Sequence, residues 1–211
     1  QDTIDAVLKG SFNLLGREHK LTLGANMNKS VWSMDRRGDV ASNFLEIPNI
    51  FEFNPADYNY SGPYGPVWQG KTTVVQKGIY GSFVAQVADP LKLIFGGRLS
   101  WYKFDDDFSF YDPGTGALDF TEITRFEDNK VFTPYLGAVY DLSNQWSVYA
   151  SAAETYQSQA SNRQGPPPGT PLGPVTGRTY EAGVKGSLLD GRLNTTLALY
   201  HINRNGEAVR D

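Results

Sequence analysis

The sequence predicts an all-β chain: an antiparallel, up-and-down transmembrane β-barrel segment, about eight strands of a larger barrel. Three observations predict it. Extended segments alternate apolar and polar residues with period two. Their connections alternate between short turns (16–18, 88–90, 142–145 and 189–191) and long segments at about 37–70, 104–130 and 156–177. In strands two to four the apolar stripe starts at a short turn and lasts about nine residues, the length a tilted strand needs to cross a hydrocarbon layer of about 25 Å.

The first strand, about 3–14, sets Ile4, Ala6, Leu8, Gly10, Phe12 and Leu14 against Asp5, Lys9, Ser11 and Asn13, with Val7 the misfit. The second, 19–35, sets Leu21, Leu23, Ala25 and Met27 against Thr22, Gly24, Asn26, Asn28 and Ser30. The third, about 71–87, carries Ile79, Gly81, Phe83, Ala85 and Val87 opposite Gln76, Gly78, Tyr80, Ser82 and Gln86. After Pro90 the fourth places Leu91, Leu93, Phe95, Gly97 and Leu99 against Lys92, Gly96, Arg98 and Ser100, with Ile94 out of pattern. Strand five, about 130–141, has Pro134, Leu136, Ala138 and Tyr140 on one face, blurred by Val139; strand six, 146–155, sets Trp146, Val148, Ala150 and Ala152 against Ser147, Tyr149 and Ser151. Strands at 178–188 and 192–203 close the series. Lys29, Lys77 and Lys103 end the apolar stripes of strands two to four. Tyr140 and Trp146 at one rim, and Trp101 and Tyr102 near the other, are the residues an interface selects.

Composition alone fits a soluble globule, with 40% hydrophobic residues and a mean hydropathy of −0.41. No run of eighteen apolar residues occurs, which excludes transmembrane helices; a barrel, however, hides its apolar residues at alternate positions. A β-sandwich also alternates, but its strands average about five or six residues, and these are far longer. The absence of cysteine removes disulfides and thiolate metal sites. A net charge of −4 argues against a nucleic-acid partner. The chain opens at Gln1 inside a strand and ends in a polar tail at Asp211, so both ends are expected to be cut from something longer.

Several stretches resemble a family in order along the chain. Leu15–Gly24 resembles the turn-and-strand motif "fGreHel-vG" of TonB-dependent siderophore receptors. Leu93–Leu99, Phe132–Gly137, Trp146–Ser151 and Gly177–Gly186, the last continued by Asp190–Asn194, resemble further hairpins of that family, and Tyr149–Gln159 resembles its "YaSyse-f-pQ" strand. Within it the chain looks most like the ferric-hydroxamate, coprogen and pyoverdine receptor branch. The resemblance implies a plugged barrel of about 22 strands in the bacterial outer membrane. Residues 1–211 would then be a partial barrel domain, with the plug, the TonB-contacting box and the C-terminal strand outside it. The implied function is ferric-siderophore uptake energised through TonB, with no enzyme activity. No cofactor is implied, because the iron arrives already chelated. The implied partners are the ferric siderophore, outer-membrane lipid and, through the missing N-terminal region, the TonB complex. A general porin, or another TonB-dependent substrate such as cobalamin or a saccharide, is the alternative.

Residues 51–68 hold six aromatics and three prolines. Aromatic rings bury large areas with little rotamer loss and offer polar handles, which suits a bulky chelate whose metal needs no further ligand. The same rings could instead pack the loop against itself. Tyr64 and Trp68 are the preferred ligand-binding pair, followed by Tyr58 and Tyr60; Trp101 and Tyr102 at the rim, Tyr111 in the next loop and Tyr156 at the mouth of the third are secondary. Arg98 is expected to pair with plug or wall carboxylates. His19 and His201 make no metal site, and Asp105, Asp106 and Asp107 read as a solvated loop run lacking the spacing of a calcium loop. The segment 164–171 reads as a stiff, proline-rich outer loop.

Overall fold

The computed structural model describes residues 1–39, 49–52, 54, 64–112, 115–166 and 169–209. Its strands are β1 Asp2–Leu14, β2 Arg17–Asp39, β3 Tyr64–Ala88, β4 Leu91–Tyr111, β5 Leu118–Asp141, β6 Trp146–Gln157, β7 Arg163–Gln164, β8 Thr170–Pro171, β9 Val175–Leu188 and β10 Leu193–Asn205. A single 3₁₀ turn, Ile50–Glu52, is the only helical piece among the described residues. Eight strands form one sheet in the order β1-β2-β3-β4-β5-β6-β9-β10, and β7 and β8 form a separate two-residue ladder. Two compact units divide the chain: residues 1–29, 75–103 and 126–211, and residues 30–74 with 104–125.

In the first unit the predicted alternation becomes cross-strand register. Ile4 faces Met27, Ala6 faces Ala25 and Leu8 faces Leu23, while Asp5 faces Asn26 and Lys9 faces Thr22. The turn into β2 is Leu15-Gly16, one residue earlier than the sequence suggests. Both residues have positive φ, 53° and 75°, the pair of a two-residue turn whose twist matches the strands it joins. Among the described residues the apolar face packs on no second layer. Ile4 is 71% exposed, Leu8 68% and Leu199 79%, whereas the buried apolar residues of the described chain are only Val74, Ala85, Phe104, Ala160 and Val175. A water-soluble sandwich would cover that face; hydrocarbon does so for a barrel wall.

The misfits have local reasons. Val7 stands opposite Gly24, and Val139 opposite Tyr149. Ile94 sits against Gly137, where an added Cβ would meet the Ile94 Cβ at 3.8 Å. Val139 and Ile94 thus sit beside an aromatic ring and a glycine, whereas Val7 is half exposed and the space over Gly24 is taken by the Tyr80 ring. Toward the short turns, Phe12, His19, Phe83 and Phe95 stack on the apolar face with centroid separations of 5.1–6.0 Å. His19 Nε2 reaches the Leu14 carbonyl at 3.1 Å; it must donate there, so the histidine serves as an aromatic spacer.

One predicted loop is largely strand, and another is shortened at both ends. β4 continues through the three aspartates to Tyr111 and β5 begins at Leu118, so the connection is 112–117 instead of 104–130. Likewise β2 reaches Asp39 and β3 starts at Tyr64. Aspartate is a poor strand former, but here each carboxylate has a partner. In the second unit Arg125 binds Asp107 at 2.6 Å and Asp105 at 3.5 Å, and Thr72 donates to Asp106 at 2.6 Å. The sequence places a strand start at 130 because Lys130, at φ 59°, is a bulge. Glu127, before it, meets Lys103, while Phe132, after it, covers Gly97; both partners are odd-numbered residues of β4. One extra residue shifts the alternation by one.

Candidate functional site

The two units carry opposite patterns on β4. In the first, the odd residues Leu91, Leu93, Phe95 and Leu99 are apolar and the even ones include Lys92, Arg98 and Ser100. In the second, the odd residues are polar or charged: Asp105, Asp107, Ser109, which bonds Thr121 at 3.0 Å, and Tyr111. The even residues there include Phe104, Phe108 and Phe110. They join an aromatic ladder: Trp68 packs on Phe108 at 5.2 Å, Phe108 on Phe110 at 5.6 Å, and Phe110 stacks on Phe120 at 4.7 Å. Gly70 makes room for it, since a Cβ there would strike the Phe108 ring.

Of the predicted ligand residues in this unit, Trp68 stands at the end of the ladder. Tyr111 is the last residue of β4, an odd position, and its hydroxyl donates to Gln69 at 2.7 Å. Tyr64 opens β3. Tyr58 and Tyr60 lie outside the described residues. Phe108, Phe110 and Phe120 escape the sequence reading because 104–130 is taken there as loop. The alternation of Phe104, Phe108 and Phe110 with aspartate and serine is the signal that could have found them.

The first unit holds a cavity of about 500 Å³ whose lining includes Arg98, Ser100, Tyr102, Tyr156, Gln157 and Ser158. Tyr102 and Tyr156 are brought together here, and Ser158 bonds to both phenols. The Tyr156 hydroxyl donates to the Asp128 carboxylate. Burial, reinforced by Asp128, pushes the Tyr156 phenol well above its usual range, so it stays protonated. Arg98 finds an amide and a hydroxyl on the wall: its Nη2 donates to Asn26 at 2.7 Å and its Nε to Ser100 at 2.9 Å. Its guanidinium lies 6.0 Å from the Tyr80 ring centroid, and Tyr80 donates to Asp5 at 3.4 Å.

Trp101, although on the opposite face from its neighbour Tyr102 by strand alternation, lines this cavity too. It lines a groove on the apolar side with Met27, Ile79 and Lys103. Gln159, only 6% exposed, is a further residue the sequence reading gives no role. Its amide nitrogen donates to the Gly173 and Gly206 carbonyls at 2.7 and 2.6 Å, and its oxygen accepts from the Ala208 amide at 3.0 Å. It ties the segment after β6 to the segment after β10. No group of three or more His, Asp or Glu suited to a metal ion occurs among the described residues.

A family model described as TonB dependent receptor-like, beta-barrel matches residues 1–211. The chain belongs to this family. TonB-dependent receptor barrels of this kind lie in the bacterial outer membrane, which accounts for an apolar face left uncovered among the described residues. Among curated relatives, the ferric-pyoverdine M114 receptor PbuA of Pseudomonas sp. (strain M114) is 33% identical, covering 98% of this chain and 25% of its own. The ferripyoverdine receptor of Pseudomonas aeruginosa is 32% identical over 100% of this chain and 24% of its own. Its crystal structure bound to ferripyoverdine superposes with a TM-score of 0.73 at 30% identity, over 99% of this chain and 26% of that one. The alcaligin receptor FauA of Bordetella pertussis gives a TM-score of 0.68 at 25% identity, over 96% and 28% of the two chains. The chain spans about a quarter of the length of the curated relatives it matches.

Proposed function

We propose that this TonB-dependent receptor segment forms part of the wall and outer vestibule of a transporter for a ferric siderophore of the pyoverdine or hydroxamate kind. The single observation carrying the reading is the inversion along β4. Within the bilayer the outward face must be apolar and the lumen polar. In the second unit the alternate face of β4 carries rings instead, and a surface of packed rings suits a bulky, partly apolar ligand. The ladder of Trp68, Phe108, Phe110 and Phe120 supplies that surface. Tyr102 supplies a neutral phenol as a donor for the oxygens that surround a chelated iron, while the Tyr156 proton is held by Asp128. The pyoverdine receptors among the relatives support iron as the cargo. The iron is substrate, already coordinated by its chelator. Energy from TonB is expected to act through parts of the receptor outside these 211 residues.

The test is uptake of radioiron by an iron-starved strain whose only such receptor is the full-length protein. Purified ferric pyoverdines and ferric hydroxamates are supplied singly, with and without TonB. TonB-dependent uptake of at least one supports the reading. Uptake of none, with growth on cobalamin or a saccharide instead, replaces the cargo. High conductance of the purified receptor without TonB makes it a porin.

A further inference from the structure

On the function proposed above, in which the segments beyond the strand ends border the ligand, we infer that Gln159 is a positioning residue for ligand capture. It clamps the segment after β6 to the segment after β10, so that both meet the ferric siderophore as one preformed surface. All the residues involved belong to the first unit.

The side-chain amide of Gln159 has two donor hydrogens and one oxygen, and each finds a partner far away in the chain. Its nitrogen donates to the Gly173 and Gly206 carbonyls at 2.7 and 2.6 Å, and its oxygen accepts from the Ala208 amide at 3.0 Å. With the residue only 6% exposed, these bonds stand in for water. Two carbonyls must be met by donors, which an amide supplies and a carboxylate of the same shape lacks. The backbones it joins also come close. Gly206 has a φ of 80°, and a Cβ added there would lie 3.1 Å from the Pro174 carbonyl oxygen.

The strands themselves do not depend on this clamp. In the sheet β9 stands between β6 and β10. Its ladders already run to the pair Gln157–Val175 on one side and Asn205–Thr176 on the other. Gln159 reaches across the end of β9 and fixes only what lies beyond it. The segment it holds has a frame of its own. The Asn162 amide donates to the Gln159 carbonyl and the Leu172 amide to the Asn162 carbonyl, both at 2.8 Å, and β7 pairs with β8. Ser158, the residue before the clamp, bonds the Tyr102 and Tyr156 phenols and lines their cavity. Two successive residues thus set the cavity edge and join the segments beyond it. Ordering those segments before the ligand arrives removes that entropic cost from binding.

The experiment compares the full-length wild-type receptor with its Gln159→Glu variant. Hydrogen exchange is read by mass spectrometry without ligand, and ferric pyoverdines and ferric hydroxamates are titrated singly by calorimetry. The wild-type receptor is expected to protect the Ala208 amide. Q159E is expected to speed exchange in 158–174 and 206–208 together, with 146–157, 178–188 and the melting temperature unchanged. Its affinity for the chelate the wild type binds is expected to fall about tenfold, as when the binding-competent arrangement drops to about a tenth of the population. An unprotected Ala208 amide in the wild-type receptor overturns the inference even if the variant fails to fold. Faster exchange in one segment alone, or unchanged affinity in folded Q159E, overturns it while the proposed function stands. A wild-type receptor that binds none of these chelates overturns both.

Discussion

The Tyr156 hydroxyl on β6 donates to the Asp128 carboxylate on β5, beyond the end of the ladder that joins those strands. The ladder runs from Asp141–Ser147 to Tyr135–Ala153. Past that point this bond is a side-chain tie between the two strands. Replacing Tyr156 by Phe strands a part-buried carboxylate, which costs about 1–3 kcal/mol. The full-length Y156F receptor is expected to melt several degrees lower and to bind its ferric siderophore about tenfold more weakly. Calorimetry and fluorescence quenching of the bound chelate measure the two effects. An unchanged affinity beside a lowered melting temperature would confine Tyr156 to a structural role.

The same phenol fixes a pH dependence. Its pKa in the folded chain is raised above the ordinary value near 10 by burial and by Asp128. Folding therefore favours the protonated form. The associated stability is fully present below about pH 10 and falls as the pH rises past it, because the unfolded chain loses its proton first. Melting temperatures of wild type and Y156F should run parallel from pH 6 to 9 and converge above 10. Parallel curves through pH 11 would contradict this.

Phe132 lies over Gly97 on the membrane face, and a Cβ at Gly97 would come within 2.7 Å of the Phe132 ring and 3.2 Å of the Thr133 carbonyl. A Gly97→Val substitution adds apolar bulk to a lipid-facing stripe, which composition alone would welcome. The geometry predicts the reverse, a loss of about 1–3 kcal/mol from overpacking, read as a lower urea midpoint of the receptor in detergent. A Phe132→Ala change in the G97V background is expected to recover part of it. Additive losses would refute the contact.

Most of the wall was legible because two solvents, hydrocarbon and luminal water, print a period of two on the residues. That Ile4, Leu8, Leu23 and Met27 share a face follows from that print, whereas their pairing is set by the Leu15-Gly16 turn. It failed where the outward solvent changes. On the proposed reading water replaces lipid beyond Lys103, so Asp105 and Asp107 occupy positions that a membrane rule reserves for Leu, and the stretch passes for a loop. The bulge at Lys130 hid the other strand in the same way, by shifting the print one residue. The site suffered most. Trp68, Tyr102 and Tyr156 could be picked as aromatics near the rim. That Trp101 and Tyr102 face opposite ways required only alternation, but that Tyr156 reaches Asp128 is set by tertiary geometry no local pattern encodes.

Arg125 offers a test of the strand extension itself. It balances Asp105 and Asp107, two carboxylates on one face of β4. The pairs are part-exposed, so each contributes well under about 1 kcal/mol in salt, yet R125A also leaves two like charges side by side. Hydrogen exchange should quicken across 104–111 and 118–125 in R125A, with no change at Leu91–Leu99. If exchange there is already fast in the wild-type receptor, these residues are loop after all.

The aromatic ladder gives the sharpest functional prediction. Phe108 touches both Trp68 and Phe110 and sits over Gly70. Truncating it to Ala removes an aromatic surface whose loss at a ligand contact commonly costs about 2 kcal/mol or more, near thirtyfold in affinity. Trp68→Ala is expected to do nearly as much. The double variant should do little more than either alone, since the rings act as one surface. Tyr111→Phe, on the odd face, loses only its bond to Gln69 and should leave affinity unchanged. Binding of the ferric siderophore to the four full-length receptors by isothermal titration decides it. A large effect from Y111F with none from F108A would place the ligand on the other side of the sheet.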